Sequence, residues 1–430
     1  MNRRFWESKV ASGLRILLGR PEIRAFAVSF APTVLALAMQ FGTLLMLAHG
    51  MGAAQFGQLA TALAITALLV ETVGIGSGDV LVRAVVQRPS DYPSYYGSAL
   101  WLGALTLPVS AAAGWIVSTN ILHVKIGAAP LAGLMLFEIG GARVAATAES
   151  VAVAHRDVIR ASSVRLISAA SRFVLALVVL QLFHVRNVNA WIWWAAGQSA
   201  VTAIGLLSST TAAYGRPANA IKHAEVGVGL LFATNQTARS TQANLDRAFM
   251  ASVVSGQVLG VYAAASRFVQ LGLFPMQILN RYLYPLFFEH GHRGGLLATR
   301  RFAVKCAPLV FSVGLIGTVL VSVASFLAPS LLGAGFSSMG PIAVALSVAL
   351  PFIALQSPPA EALTGAGRQG LRTAVVIAMA VAFSLGLTAG AAVGGLWGIV
   401  IAFVGGHLFT ALLLWGILFR LSSSSTVSSR

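Results

Sequence analysis

The sequence predicts an all-α polytopic membrane protein. About twelve transmembrane helices form two six-helix halves, related as a parallel repeat around a central cavity. Three observations predict this: a composition too apolar for water, a series of apolar stretches of spanning length, and a motif that recurs in the second half. Hydrophobic residues make up 57% of the 430 and charged residues 10%, with a mean hydropathy of +0.82. A soluble domain carries about 25% charged residues, so this chain has too little charge to cover a water-facing surface. Twelve spans of ~20 residues use about 240 residues and leave room for short loops. A secreted module, a nucleic-acid-binding domain and a β-barrel of short alternating strands are excluded.

Residues 1–24 carry Arg3, Arg4, Lys9, Arg15, Arg20 and Arg24, with an apolar face at Trp6, Val10, Leu14 and Leu17. That spacing predicts a cytoplasmic interfacial helix, and the apolar run that follows is too long for a signal peptide. Apolar stretches then follow at approximately 26–48, 58–82, 97–119, 128–152, 163–184, 191–213, 226–250, 257–280, 305–327, 341–362, 373–393 and 397–419. The Ser-rich end, 422–430, reads as a disordered tail. The expected organisation is therefore 1–24 interfacial helix, 25–215 first half, 216–421 second half and 422–430 tail.

The 29 Lys and Arg against 12 Asp and Glu give a net charge of +17. The excess alternates along the chain. Alternate loops collect Arg83 and Arg88; Arg156, Arg160 and Arg165; Arg216 and Lys222; Arg281, Arg293, Arg300, Arg301 and Lys305; Arg368 and Arg372. With the two ends, 22 of the 29 basic residues fall on one side, and the opposite loops plainly hold only Lys125 and Arg186. The positive-inside rule places both termini on the cytoplasmic side of the membrane. Cys306 is the only cysteine, so no intramolecular disulfide forms.

Nothing in the chain points to covalent chemistry. There is no large extramembrane segment, no Gly-x-x-x-x-Gly-Lys phosphate loop and no His-Glu-x-x-His pair. His290 and His292 have only Glu289 nearby, too little for a metal centre. The expectation is a non-enzyme without cofactor or metal.

MGAAQFGQLATALAI after the first span is echoed 203 residues on by GQVLGVYAAAS. Gly57, Leu59, Ala60 and Ala62 align with Gly260, Tyr262, Ala263 and Ala265, each where the chain turns back into the membrane. A glycine there permits a tight turn and close helix approach. An even number of spans per half makes the repeat parallel, and carriers built so bind their cargo between the halves.

Gln55-Phe56-Gly57, Gly74-Ile75-Gly76 and Leu81-Val82-Arg83 stand in order in the first half. Asn244-Leu245-Asp246, Gly260-Val261-Tyr262-Ala263-Ala264-Ala265-Ser266-Arg267, Leu332-Gly333 with Phe336, and Gly365-Ala366-Gly367-Arg368 follow in the second. Over nearly the whole chain this resembles the Wzx-type polysaccharide flippases of the multidrug/oligosaccharidyl-lipid/polysaccharide exporter superfamily. The resemblance implies alternating access and an undecaprenyl-diphosphate-linked oligosaccharide as cargo, carried to the outer leaflet for surface polysaccharide biosynthesis. It implies membrane lipids, and the polysaccharide polymerase and export machinery, as partners, with no nucleic acid. A monomer is expected. The alternative is a multidrug extruder of the same superfamily.

Ionisable groups inside spans are costly and mark cavities or partners. Asn235, Arg239, Gln242 and Asp246 recur at helical spacing on one face of span seven. Arg267 lies mid-span in span eight, Arg143 and Arg172 lie deep in spans four and five, and Gln40 belongs to a polar stripe in span one. Glu138 and Glu149 are alternative partners for Arg143 and Arg172. These eight residues (Arg239, Arg267, Arg143, Arg172, Asn235, Gln242, Asp246 and Gln40) are the expected substrate site, with Arg239 foremost, ~20 Å along its helix from the cytoplasmic start. Pro32, Pro108, Pro275, Pro308 and Pro351 predict kinks within spans.

Overall fold

The structure is a computed structural model that describes residues 21–427. Residues 1–20 and 428–430, and side chains at a few internal positions including Gln242, lie outside the described residues. The expected interfacial helix at 1–24 therefore falls largely outside them. Among the described residues the chain is helix joined by turns, without a strand. The helices are α1 (Pro21–Val70), α2 (Ser77–Gln87), α3 (Tyr92–Ile116), α4 (Ala128–Ala154), α5 (Val158–Ala176) and α6 (Val188–Tyr214). They continue as α7 (Val226–Val253), α8 (Gly256–Gly272), α9 (Phe274–Leu332), α10 (Met339–Ser347), α11 (Ala349–Gly365) and α12 (Gln369–Val427). The last turns of α12 reach into the stretch expected as a disordered tail.

Eight helical stretches are long and apolar enough to cross a membrane, among the described residues. The chain is a multi-pass membrane protein. The three longest helices are each two rods joined at a glycine. In α12 the break is Gly395 (φ 54°), and Phe383 and Phe403 meet across it with ring centroids 5.8 Å apart. Twenty residues of straight helix would hold them ~30 Å apart, so the chain has reversed. In α9 the break is Gly294–Gly295, across which Phe287 and Phe302 meet at 4.9 Å. In α1 it is Gly52 (φ 72°), whose two arms line one cavity. Gly52, Gly295 and Gly395 have positive φ, which glycine adopts without a Cβ clash.

The structure departs from the sequence reading at three spans. The stretch 58–82 is not one helix. It stops at Val70, and Gly74, Ile75 and Gly76 are all left-handed (φ 75°, 48° and 65°) before α2 begins. Leu81-Val82-Arg83 thus belongs to a separate short helix. The stretch 257–280 divides at Leu273, beside Pro275. The stretch 341–362 divides at Val348, because Pro351 cannot donate to the carbonyl four residues back. That carbonyl, on Ser347, accepts from Thr318 Oγ1 at 2.8 Å. Pro359 likewise frees Leu355 O, which accepts from Trp415 Nε1 at 3.0 Å. Both orphans are satisfied by a neighbouring helix, as an apolar surrounding requires.

Lipid tails are as apolar as leucine, so close packing of small residues must hold these helices together. Gly57 and Gly260 pack against each other's segments. A Cβ on Gly57 would lie 2.4 Å from Gly256 O, and one on Gly260 would lie 1.9 Å from Ala53 O. Phe56 and Phe336 close the same end edge to face. At the other end the basic junctions meet: Arg83 pairs with Glu225, Tyr92 meets His155 edge to face, and His155 stacks on Tyr214.

Candidate functional site

Between these ends lies a cavity of about 720 Å³. Both arms of α1 line it, from Leu37 to Leu47 and from Phe56 to Val70, together with α8 and parts of α4 and α5. Its charged lining is three guanidinium groups, Arg172, Arg247 and Arg267, and one carboxylate, Glu138. A second space of about 590 Å³ shares Gln40, Glu138, Arg172, Gln270 and Gln277 with it and continues toward Thr33, Glu149 and Arg165. The path therefore runs from the glycine-sealed end toward the end where the basic junctions gather.

The two walls differ in chemistry. On the α4–α5–α6 wall, Arg172 Nη2 donates to Glu138 Oε2 at 2.7 Å and to Ser199 Oγ at 3.0 Å. Its Nε donates to Gln198 Oε1 at 2.7 Å. Gln198 Nε2 is itself fixed on Ser171 and Thr202, at 2.8 and 2.9 Å. Charge on this wall is internally balanced, and Arg165 pairs with Glu149 further along.

On the α7–α8 wall, Arg267 Nη1 donates to Gln270 Oε1 at 3.0 Å, and no carboxylate lies within ion-pair distance among the described residues. Arg247 is buried at 1% exposure; its Nη2 donates to Asn244 Oδ1 at 2.9 Å, and its Nε lies 3.7 Å from Asp246 Oδ1. Among the described residues Arg267 is thus the cavity cation without a carboxylate partner.

The structure brings together three of the residues expected at the site: Arg172, Arg267 and Gln40 line the central cavity. Arg239 does not. It lines a smaller space of about 230 Å³ with Asp246, Gln356 and His407, adjoining the central cavity at Arg247 and Gln270. Asp246 is buried and accepts from Tyr262 Oη at 2.8 Å. Asn235 donates to Thr373 at 3.1 Å, a helix–helix contact. Arg143 is buried away from the cavity, between α4 and α2, with Nη2 on Ser77 Oγ at 3.1 Å. The side chain of Gln242 lies outside the described residues. Of the alternative carboxylate partners, Glu138 takes Arg172, Glu149 takes Arg165, and neither takes Arg143.

Helical spacing identified the polar face of α7 but not which space it would meet. Gln198 and Ser199 join the site from α6, where Gln198, Ser199 and Thr202 form a polar i, i+1, i+4 set, the signal in the sequence that points to them.

No protein-family model matches the chain, and no curated protein matches it. Solved structures do. A multidrug resistance MATE family transporter of the MOP superfamily, in an inward-facing conformation, superposes with a TM-score of 0.73 at 15% identity, over 92% of this chain and 99% of that one. The fold is that of a MATE-type transporter. An outward-facing structure of such a transporter matches with a TM-score of 0.63 at 16% identity, over 96% of this chain and 98% of that one. A MATE bound to MaL6 gives 0.64 at 16% identity over the same shares. The MATE-type fold is thus represented with its access on either side of the membrane. In this chain the MATE-type fold is sealed at the Gly57–Gly260 end.

Proposed function

We propose that this chain is a flippase that carries an undecaprenyl-diphosphate-linked oligosaccharide from the cytoplasmic to the outer leaflet of a bacterial inner membrane. Surface polysaccharide biosynthesis would use the product, and its polymerase and export machinery are the partners this reading names. The observation that carries it is Arg267, a guanidinium facing a membrane-embedded cavity without a carboxylate partner among the described residues. Such a charge is expensive to hold in a bilayer. A diphosphate supplies charge and paired acceptor oxygens that match a guanidinium fork.

The same reading assigns twelve spans to two six-helix halves, 25–215 and 216–421. Their packing repeats. The first arm of α1 packs on α5 through Gly42 and Phe173, as α7 packs on the first arm of α12 through Asn235 and Thr373. Helix α4 packs on α6 through Gly141 and Ser199, as α11 packs on the second arm of α12 through Gln356 and His407. Gly57 and Gly260, equivalent in the sequence repeat, also touch near each other's turns. Residues related by a two-fold can touch only beside its axis, which supports an axis running between the halves along the membrane normal. Rocking one half against the other around the central cavity would open the glycine-sealed end and close the other.

Extrusion of organic cations is the second reading, favoured by the multidrug transporters that share the fold and by the carboxylate Glu138 in the cavity. Proteoliposomes separate the two. Wild-type protein is expected to flip a fluorescent lipid-linked oligosaccharide, and Arg267→Ala to slow this at least ~10-fold, the loss of one charged hydrogen-bond set. Undiminished flipping by Arg267→Ala would overturn the role of Arg267. Uptake of an organic cation without flipping would establish the multidrug reading instead.

A further inference from the structure

We propose that the Glu138–Arg172 pair is a sugar-selecting clamp. It grips a vicinal diol of the cargo's glycan while Arg267, on the other wall, holds the phosphate. The proposal rests on reading the cavity as the path of a lipid-linked glycan, and it adds how that path tells a sugar-bearing lipid from a bare one.

The geometry of the pair leaves one face of each partner open. Glu138 Oε2 is occupied by Arg172 and Ser199, at 2.7 and 2.9 Å. Arg172 Nε and Nη2 are occupied by Gln198, Glu138 and Ser199. Among the described residues nothing bonds Glu138 Oε1 or Arg172 Nη1, and both residues line the central cavity and its extension. The two side chains keep 17% and 23% of their surface exposed. An ion pair with a purely structural role in an apolar interior needs its remaining acceptors and donors satisfied by protein. Here the supporting hydrogen bonds come from behind, and the free atoms face the cavity.

That leaves one strong acceptor beside one strong donor, fixed in position by Gln198 and Ser199. A hydroxyl both donates and accepts. Two adjacent hydroxyls therefore satisfy the pair at once, one donating to Glu138 Oε1 and its neighbour accepting from Arg172 Nη1. A phosphate cannot, because its oxygens are repelled by the carboxylate. The pair is neutral as a unit, so this wall suits an uncharged polar group, in contrast to the wall of Arg267. A cargo with a polyhydroxyl part joined to an anionic part fits across the cavity.

The test compares two ligands on the full-length protein in nanodiscs: polyprenyl diphosphate, and the same lipid carrying galactose on its diphosphate. Wild-type protein is expected to bind the galactosyl lipid about tenfold more tightly, the scale of a charge-assisted hydrogen bond. Glu138→Gln is expected to erase that margin by weakening the galactosyl lipid, and to bind the bare diphosphate equally well or better, since Arg172 then loses its counter-charge. If Glu138→Gln does not yield folded protein, Gln198→Ala frees Arg172 Nε with both charges kept, and is expected to shrink the same margin. Equal wild-type affinity for the two lipids, or an equal loss on both in the variant, would overturn the clamp and leave the cavity reading standing. Binding of neither lipid would overturn the cavity reading, and the clamp with it.

Discussion

Arg267 and Arg239 lie on neighbouring helices but meet different spaces. Arg267 faces the central cavity, whereas Arg239 faces the smaller one beside Gln356 and His407. The proposed flippase role therefore falls on Arg267. In a binding assay with polyprenyl diphosphate, Arg267→Ala is expected to raise Kd by an order of magnitude or more, while Arg239→Ala stays within about threefold. Arg267→Lys, which keeps the charge but loses the planar fork, is expected to fall between wild type and Ala. Equal losses at both arginines would return the site to the α7 face. Asp246 has a different task. It is buried, accepts from Tyr262 and sits beside the buried Arg247. Asp246→Ala is expected to destabilise the fold by about 3 kcal/mol, the cost of removing one member of a buried ion pair. A thermal melt in detergent measures it, and an unchanged Tm would show that Arg247 is held by other contacts.

In the proposed flippase the elements would carry the motion. Backbone meets backbone at Gly57 and Gly260, with no room for a Cβ on either. Gly260→Val should therefore keep that end from closing and hold the protein with its cavity open there. Cysteines placed at 54 and 256, in a Cys306→Ser background, report on this end. They are expected to cross-link in the otherwise wild-type sequence and to lose that cross-link when Gly260→Val is added. Retained cross-linking would remove the seal from this contact. Prolines shape α11 by another route, since each frees a carbonyl that a neighbour must satisfy. Trp415→Phe deprives Leu355 O of its donor. It is expected to cost about 1–3 kcal/mol of stability, an unpaired buried carbonyl, read as a lowered Tm. An unchanged Tm would mean the freed carbonyl has another donor.

At the scale of the whole molecule, the basic junctions converge at one end and the glycine seal lies at the other. Both termini are predicted to be cytoplasmic. A cysteine introduced at His123 should accept an impermeant maleimide in intact cells, and one at Arg156 only after permeabilisation, again in a Cys306→Ser background. The reverse pattern would invert the topology. The 22 of 29 basic residues on one side motivate this order.

Solvent class and helix content were readable from the sequence because they depend on sums over many residues: 57% hydrophobic composition, runs of spanning length, alternating loop charge. The aligned turns of Gly57 and Gly260 were also readable, because a glycine required for close approach leaves its mark at a single position. Which arginine meets which space was not. Arg239 and Asp246 share a face seven residues apart, yet that face looks into a side cavity, and Arg143 turns toward Ser77. Helical periodicity shows that a face is polar. What lies opposite is decided by the rotation and depth at which other helices pack, and those are set by contacts between residues far apart in the chain, such as Glu138, Arg172 and Ser199.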